Sequence, residues 1–368
     1  MRAGLSLTLT FYMVRQYIGW LLATLCGLLA FVMLLDAIEL ARRLAKLDQD
    51  IANSQMVIAL LMRLPPMVEI LLPFAVLFGS MLCFASWSKS HEFVAARSFG
   101  QTVWQALSPA FVGVAIVSFL YLTCINPISA TSQRQYNLWI EDIFGPAENN
   151  RLTIAASGLW LRDQTDGKDI IIHGQNLDPD RLVINSPVIY QLNERGRLEW
   201  RMTAAALSLQ DGKWGLTQAE KIRNDGTVEQ LGDISLATKL DERVLLQASA
   251  PPDTVSVFGL PGFISMLQQT GLPANAHQVR FHQLLASPFL LLGMIMLAAG
   301  FTVVHFSRRQ RLRLVLLGLG TGFAVYFISD LVYLLGGSAR LPYLIAGWVP
   351  ALVVFTLGGF LITRVDEI

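Results

Sequence analysis

The sequence predicts an α-helical membrane protein with six transmembrane helices and one inserted, non-cytoplasmic all-β domain. The 368-residue chain is 53% hydrophobic and only 15% charged, whereas soluble domains are nearer a quarter charged. Six stretches are apolar over the length needed to cross a hydrocarbon core, about 20 residues of helix. Between the third and the fourth stretch, polar residues dominate and the pattern shifts towards a period of two, which is typical of strands.

The six apolar stretches are dominated by Leu, Val, Phe, Ala and Met. They cover residues 17–38, 56–87, 102–125, 281–305, 312–335 and 341–364. The second stretch contains Pro65, Pro66 and Pro73. We expect a kink or break there, because proline removes a backbone hydrogen bond and its ring clashes with the preceding turn.

Basic residues indicate which face of the membrane the ends of the spans occupy. The short loop at 308–313, between the fourth and fifth spans, carries four arginines in six residues. In a six-span layout, the same face carries Arg2, Arg15, Lys89, Arg97 and Arg364. The positive-inside rule makes this face cytoplasmic, so both termini are expected there and the inserted domain on the opposite side.

The inserted domain is predicted at 126–280, between membrane parts at 1–125 and 281–368. Its candidate strands cover residues 152–162, 168–173, 182–192, 198–210, 213–222 and 227–235. Turn-forming pairs separate strands at 166–167, 195–196, 211–212 and 225–226. This spacing favours an antiparallel sandwich or jelly-roll. Residues 263–269 are expected to form a short amphipathic helix that leads back to the membrane.

The sequence offers no constellation of residues that would make this chain an enzyme. It has no Gly-x-x-x-x-Gly-Lys-Ser/Thr loop for ATP, and its five histidines are scattered. A net charge of +1 gives no reason to expect nucleic-acid binding. We therefore expect no catalytic residue, no metal site and no cofactor in this chain.

The segment 88–100 joins the second and third spans on the cytoplasmic side. It is typical of a short amphipathic helix, with Gly100 as its stop signal. Its other notable residues are Lys89, Glu92, Phe93 and Arg97. The helix could lie on the membrane surface, or it could be a docking element for a cytosolic partner.

Three cations, Arg42, Arg43 and Lys46, lie at the non-cytoplasmic end of the first span. Residues 42 and 46 are four apart, so their side chains share a helical face. Clustered cations at headgroup depth can bind anionic lipid phosphates. The alternative is an ordinary flank of the span, balanced by the nearby acids Asp36 and Glu39.

Ionisable residues also occur inside the spans, namely Arg63 and Glu69 in the second and Asp330 in the fifth. Such residues usually face a protein interior or a water-filled cavity, so they could form interhelical pairs or line a substrate path. Gly318 and Gly322, four apart in the fifth span, allow a close helix contact. Such a contact would suit a gate, and Asp330 is included in this candidate gate.

Several motifs together resemble the LptF/LptG permease family of the lipopolysaccharide transport exporter, over essentially the whole chain. They are Arg15-Gln-Tyr17-Ile-Gly19, Asp36-x-x-Glu39-Leu-x-Arg42-Arg43, Leu64-Pro65 with Leu72-Pro73, and Ser90-His-Glu92-Phe-Val-Ala-Ala-Arg97-Ser-Phe-Gly100. Segments that look more like the LptG branch are Gly158-Leu-Trp160, Gly259-Leu-Pro-Gly-Phe263 and Phe323-Ala-Val-Tyr326-Phe-Ile-Ser-Asp330.

This resemblance implies a permease subunit of an ABC exporter that extracts lipopolysaccharide from the bacterial inner membrane and passes it to a periplasmic protein bridge. The implied partners are an LptF-like permease subunit, an LptB-like ATPase dimer that binds the ATP, an LptC-like single-span protein, and lipopolysaccharide. Segment 88–100 becomes the coupling helix, with Glu92 in the acidic role although His91 interrupts the family pattern. Arg42, Arg43 and Lys46 become candidates for contacting substrate phosphates. A non-transporting scaffold or regulator, or an intramembrane enzyme, are the alternatives.

Overall fold

The computed structural model describes residues 7–46, 53–90, 102–144, 159–165, 168–174, 176–178, 183–192, 198–210, 213–223, 227–237, 250–269, 273–302 and 308–366. The chain divides into two structural units. The first consists of Met1–Tyr136, Ser256–Phe258 and Gln278–Ile368, and the second of Asn137–Val255 and Gly259–His277. Long helices build the first unit, and the second contains the sheet.

The helices, in chain order, are α1 (Leu7–Leu44), α2 (Asn53–Lys89), α3 (Val103–Leu120), α4 (Asn126–Phe144), α5 (Leu260–Gln269), α6 (Asn275–Thr302), α7 (Arg308–Gly337) and α8 (Tyr343–Asp366). One π-helical turn, Tyr121–Ile125, joins α3 to α4. Among the described residues, six helical stretches are long and apolar enough to cross a membrane. Each coincides with one predicted span, so the six-span prediction is confirmed.

The second span is one continuous helix, so of the kink or break predicted at its prolines, the break is absent and the kink stays a prediction. Helix α2 runs from Asn53 to Lys89 through Pro65, Pro66 and Pro73. In a membrane helix, neighbouring helices and local adjustments satisfy the backbone groups that proline frees. The predicted break is therefore absent.

The third span is longer than predicted. Helix continues through α4 to Phe144, whereas the β-rich domain was predicted to start at residue 126. The polar residues that begin at Asn126 form a less apolar helix rather than an irregular segment. The buried Asn126 is used within the first unit, where its Oδ1 accepts a hydrogen bond from the Val257 N–H at 2.8 Å.

The start of the third span is fixed by a capping box. The Gln105 N–H donates to the Thr102 hydroxyl at 3.3 Å, and the Thr102 N–H donates to the Gln105 side chain at 3.2 Å. Two backbone donors that have no partner inside the helix are thereby satisfied. The polar pair also interrupts the apolar pattern, so this boundary was readable in the sequence.

The arginine-rich segment at 308–313 is helical, although it was predicted to be a loop. Helix α7 begins at Arg308, so its first turns carry the four arginines. Apolar length alone places the start of the span later, at Leu316. The sequence marks where a helix enters the hydrocarbon more clearly than where its hydrogen bonding begins.

Helix α1 packs against α2 and α3 through small residues, and polar contacts join it to α2. The fully buried Tyr17 shares a hydrogen bond with Ser80 at 3.0 Å between their hydroxyls. A Cβ atom added at Gly113 would lie 2.6 Å from the Tyr17 ring, and one at Gly79 would lie 2.9 Å from the Leu21 Cα. Glycine is therefore needed at both positions for the helices to approach this closely.

In the second unit, the described strands form one antiparallel sheet. They are β1 (Leu159–Thr165), β2 (Lys168–Gly174), β3 (Asn176–Asp178), β4 (Val183–Asn185), β5 (Val188–Leu192), β6 (Leu198–Thr203), β7 (Ala206–Gln210), β8 (Lys213–Arg223) and β9 (Val228–Ala237). Their order is β1-β2-β5-β6-β8-β7-β4-β3, with β9 paired to β8. The inserted all-β fold is confirmed as a nearly closed, barrel-like sheet region.

Neighbouring strands bend at the same level, which curls the sheet. The predicted strand 182–192 is divided at Ser186 (φ 48°), and β8 contains Gln218 at φ 53°. The predicted strand 198–210 is divided at Ala204–Ala205, next to both bends. Pairing continues across the corner, because the Ser186 N–H donates to the Ala205 carbonyl at 3.0 Å. Both predicted strands are thus two shorter strands each, since hydrophobic alternation does not reveal a corner.

The interior of the sheet is filled by large apolar residues from alternating positions. The buried set includes Ile172, Ile184, Ile189, Trp200, Met202, Leu207, Trp214 and Leu216. Leu267 of α5 joins this core, so the helix predicted at 263–269 is confirmed. Residues 152–158 and the four predicted turn pairs lie outside the described residues, but the strands that flank these turns pair as antiparallel neighbours.

Candidate functional site

The C-terminal part of α1 carries an exposed apolar face that ends in cations. The exposed apolar side chains there are Phe31, Leu34, Leu35 and Ile38. Their spacing of three to four residues places them along one side of the helix. The three cations predicted to bind phosphates, Arg42, Arg43 and Lys46, follow within two turns and are all exposed. The same stretch of chain therefore offers a surface for apolar groups beside a surface for anions.

Glu39 holds two of these cations. Its carboxylate accepts a hydrogen bond from the Arg42 guanidinium through one oxygen and from the Arg43 Nε, at 3.1 Å, through the other. The side chains of Arg42 and Arg43 are nevertheless 69% and 50% exposed. Such exposed pairs, three and four residues apart on one helix, are weak because water and salt screen the two charges.

A second carboxylate of the same helix makes a different kind of pair. The Asp36 Oδ1 lies 3.0 Å from the Arg63 Nη1, which joins α1 to α2. Arg63 also donates to the Tyr136 hydroxyl at 3.3 Å and lies 5.0 Å from the centroid of that ring. Arg63 therefore makes an interhelical pair, and a role in lining a substrate path stays a prediction.

Glu69 belongs to a polar cluster inside the helical unit. It accepts hydrogen bonds from the Arg280 guanidinium and from the Tyr121 hydroxyl, the latter at 3.0 Å. The side chains of Glu69 and Arg280 are only 9% and 17% exposed. Arg280 also donates to the Gln283 side chain at 3.2 Å. The cluster connects α2, the π-helical turn and α6, so pairing between helices accounts for Glu69 as well.

The close helix contact predicted for Gly318 and Gly322 exists, and its partner is α2. A Cβ atom at Gly318 would lie 2.7 Å from the Met81 sulfur, and one at Gly322 would lie 2.8 Å from the Leu77 Cδ2. Asp330 lies further along α7 and is exposed. The use of this contact as a gate stays a prediction.

Aromatic side chains extend the contact between α2 and α7. The Phe74 ring centroid lies 5.6 Å from that of Phe323 and 5.3 Å from that of Tyr326. Aromatic pairs at such distances add attraction beyond the area they bury. The two helices thus approach closely at Gly318 and Gly322, and aromatic rings pack between them next to these glycines.

Most of the predicted coupling helix lies outside the described residues. This applies to Glu92, Phe93, Arg97 and Gly100. Lys89 is described, as the exposed last residue of α2. Its position places the start of the predicted coupling segment directly at the end of the helix that contacts both α1 and α7.

The partners of the ionisable residues were missed in the sequence. Arg280 lies one residue before the predicted fourth span, so it was not considered as a counter-ion for Glu69. The usable signal was Glu69 itself, because an acid within a span needs a cation or a polar cavity. Asp36 and Arg63 were both noticed, but nothing in their spacing indicates that they meet.

Metal ligands do not cluster in the part of the chain that the structure describes. No group of three or more His, Cys, Asp or Glu residues there could hold a metal ion. The described acids Asp36, Glu39 and Glu69 are instead held by arginines. The expectation that the chain uses no cofactor stays a prediction.

Comparison with known proteins gives a consistent result over almost the whole chain. A model of the family described as lipopolysaccharide export system permease LptF/LptG matches residues 11–364. The lipopolysaccharide export system permease protein LptG of Haemophilus influenzae is 22% identical over 364 residues, which cover 97% of this chain and 98% of that protein. The protein of the same name from Escherichia coli K12 is 23% identical over 313 residues, covering 83% and 84%.

Proposed function

The chain belongs to the LptF/LptG family of lipopolysaccharide export system permeases, and on this premise we propose that it is the LptG-type permease of such an exporter. It works in a bacterial inner membrane and delivers lipopolysaccharide to a periplasmic protein bridge. A separate LptB-like ATPase dimer binds and hydrolyses the ATP. An LptF-like subunit forms the other half of the permease, and an LptC-like protein adds one further span.

The observation that carries the substrate assignment is the amphipathic end of α1. Exposed apolar residues such as Phe31 and Leu34 are followed by the exposed cations Arg42, Arg43 and Lys46. Lipopolysaccharide combines acyl chains with phosphate groups, so an apolar face next to cations is complementary to both of its parts. The cations contact the substrate phosphates, and the apolar face accompanies the acyl chains.

Coupling to the ATPase runs through the segment that follows α2. Glu92 is the acidic contact for the ATPase, with Lys89, Phe93, Arg97 and Gly100 as the remaining parts of the coupling helix. Helix α2 supports this role because it contacts α1 through Ser80 and α7 through Leu77. A displacement applied to its Lys89 end therefore reaches both helices, as rigid-element transmission requires.

The gate lies at the contact between α2 and α7. Gly318 and Gly322 permit the two helices to lie close, with the Met81 and Leu77 side chains of α2 packed against these glycines. Helix α7 also exposes apolar side chains that a partner subunit or the substrate can cover: Phe323, Phe327, Ile328, Leu331 and Leu334. Movement of α7 relative to α2 would open or close the path, with Asp330 further along the same helix.

Both termini are cytoplasmic, and the β-rich domain is periplasmic. The supporting observation is the bias of basic residues, above all the four arginines at the start of α7. The nearly closed sheet has an apolar interior, which suits a domain that passes acyl chains to an adjoining jelly-roll of the bridge.

A photoreactive amino acid at Arg43 tests the substrate contact in the exporter complex. We expect crosslinks to lipopolysaccharide during ATP turnover, and far fewer without ATP or in a Glu92→Lys variant. The same amino acid at Thr356, which is exposed on α8, is the control position. Equal crosslinking at Arg43 in all three conditions would leave the transport-linked contact without support.

A further inference from the structure

We propose that Glu39 is an internal counter-ion that competes with substrate phosphate for Arg42 and Arg43 and so sets the affinity of this site. Its carboxylate holds both arginines when no lipid is bound, and a phosphate group displaces it. The inference rests on the proposed function, because it requires these arginines to contact the substrate.

The competition follows from which atoms Glu39 occupies. One carboxylate oxygen accepts from Arg42 and the other accepts from Arg43, so both guanidinium groups face the same anion. A phosphate group also presents several oxygens with negative charge, and guanidinium binds carboxylate and phosphate through the same donors. Contact of phosphate with these same donors, the Arg42 Nη2 and the Arg43 Nε, therefore requires Glu39 to release them.

Glu39 is a competitor at fixed local concentration. It lies three and four residues before the two arginines on one continuous helix, so it moves together with them. A ligand on the same rigid element competes at an effective concentration that dilution cannot lower. The carboxylate therefore weakens phosphate binding at any protein concentration. When phosphate leaves, the carboxylate forms its hydrogen bonds with the two arginines again.

The exposure of the pair makes the exchange possible. The Glu39 side chain is 39% exposed, whereas Asp36, one turn earlier, is 15% exposed and pairs with Arg63 of another helix. The Tyr136 hydroxyl and ring hold Arg63 as well. An exposed pair within one helix is weak and easily replaced, while a partly buried pair between helices is costly to break. Helix α1 thus carries one displaceable carboxylate and one structural carboxylate.

This arrangement suits a protein that must let its substrate go. Cations without a nearby acid would hold a phosphate-bearing lipid more tightly and slow its release. Glu39 provides an alternative partner at the moment of release, so the arginines are never left without an anion. Its role is that of a competing counter-ion, and the substrate phosphates themselves contact only the cations.

The test measures the apparent Kd of purified lipopolysaccharide for the exporter complex during ATP turnover, the condition in which the Arg43 contact is expected. Glu39→Gln removes the charge and keeps the shape, and we expect Kd to fall about two- to fivefold, the range that corresponds to one exposed ion pair. The ATP-driven release rate is expected to fall in the same variant. Glu141→Gln, which removes another exposed carboxylate, is the matched control and should leave Kd unchanged.

Three further arms assign the effect to phosphate, to the carboxylate and to the arginines. Enzymatically dephosphorylated lipopolysaccharide should bind wild type and Glu39→Gln equally, because the competition no longer matters. Glu39→Asp keeps a carboxylate and should restore Kd towards the wild-type value. In a complex with both Arg42→Gln and Arg43→Gln, adding Glu39→Gln should change nothing.

The outcomes separate this inference from the proposed function. If the double arginine variant binds lipopolysaccharide as well as wild type, the proposed substrate contact itself is wrong. If that variant binds more weakly but Glu39→Gln does not tighten binding, only the counter-ion role is overturned. Equal tightening with dephosphorylated lipid would also overturn it.

Discussion

Charged side chains in the helical unit differ in how far they are buried. Among the three acids that pair with arginines, Glu69 is the least exposed. Its carboxylate is shared by Arg280 of α6 and Tyr121 of the π-helical turn. Removal of one partner from such a pair leaves the other charge in a poorly solvated place, which costs about 3–5 kcal/mol when burial is complete. The small exposures of Glu69 and Arg280 place them near this limit.

We expect Glu69→Gln to lower the free energy of unfolding of the purified protein by about 2–4 kcal/mol. Arg280→Gln should have a similar effect, and the double variant should lose less than the sum, because neither charge is then left alone. Thermal unfolding of the three variants measures this coupling. Strictly additive losses would show that Glu69 and Arg280 do not depend on each other.

At this scale, the sequence indicated which residues matter but not what they contact. Glu69, Arg63 and Asp36 could be selected because charges are rare in spans. Their partners come from other helices, and no spacing along the chain encodes which helix faces which. Only Glu39 with Arg42 and Arg43 could have been paired from sequence, since they lie within two turns of one helix.

At the level of helices and strands, the close contact between α2 and α7 allows a direct test of the candidate gate. A leucine at Gly318 would meet Met81, whereas the neighbouring Gly320 has no described atom within 4 Å of its potential Cβ. We expect Gly318→Leu to destabilise the protein by about 1–3 kcal/mol, as overpacking does. Gly320→Leu is the control and should be neutral or slightly stabilising, because glycine is a poor helix former.

Thermal unfolding of both leucine variants checks this expectation, and the ATP-driven release of lipopolysaccharide checks the gate. Gly318→Leu should slow release more than Gly320→Leu, since it separates α7 from α2. Equal stability and equal release in the two variants would contradict both the contact and its use.

The bent strands of the sheet give a further expectation. Gln218 adopts φ 53°, a left-handed conformation that is especially unfavourable for β-branched residues. We expect Gln218→Val to destabilise the sheet by about 1–2 kcal/mol, whereas Thr217→Val, at the exposed neighbouring position, should stay within about 0.5 kcal/mol. Hydrogen exchange of the β8 amides in the intact chain reports the difference. Similar exchange in both variants would show that the corner is not strained.

Element types were largely predictable, and element ends were not. Apolar runs of span length and alternating strands are strong local signals, so the spans and most strands were located. The corner at Ser186 and Gln218 was missed because alternation continues through a bend. The helix from Asn126 to Phe144 was missed because its composition turns polar while its hydrogen bonding continues.

For the whole molecule, the six-span layout followed from apolar length, and the orientation rests on the distribution of basic residues. Partner subunits leave no comparable signal in a single chain. The exposed apolar faces of α1 and α7 are consistent with partners, yet lipid, protein and substrate all favour such surfaces.

Cysteine labelling tests the proposed orientation. The background replaces Cys26, Cys83 and Cys124 by alanine, and single cysteines are placed at Ser235 of β9 and at Arg364 of α8, both exposed. A membrane-impermeant maleimide should label the cysteine at 235 in spheroplasts and the one at 364 only after permeabilisation. The reverse pattern would contradict the assignment of the β-rich domain to the periplasm.

The central claim is that this chain exports lipopolysaccharide under the control of a separate ATPase, and depletion in cells tests it most directly. We expect lipopolysaccharide to accumulate at the inner membrane when the chain is depleted. Re-expression of the wild-type chain should reverse this, and re-expression of Glu92→Lys should not. Normal delivery of lipopolysaccharide to the outer membrane after complete depletion would contradict the claim.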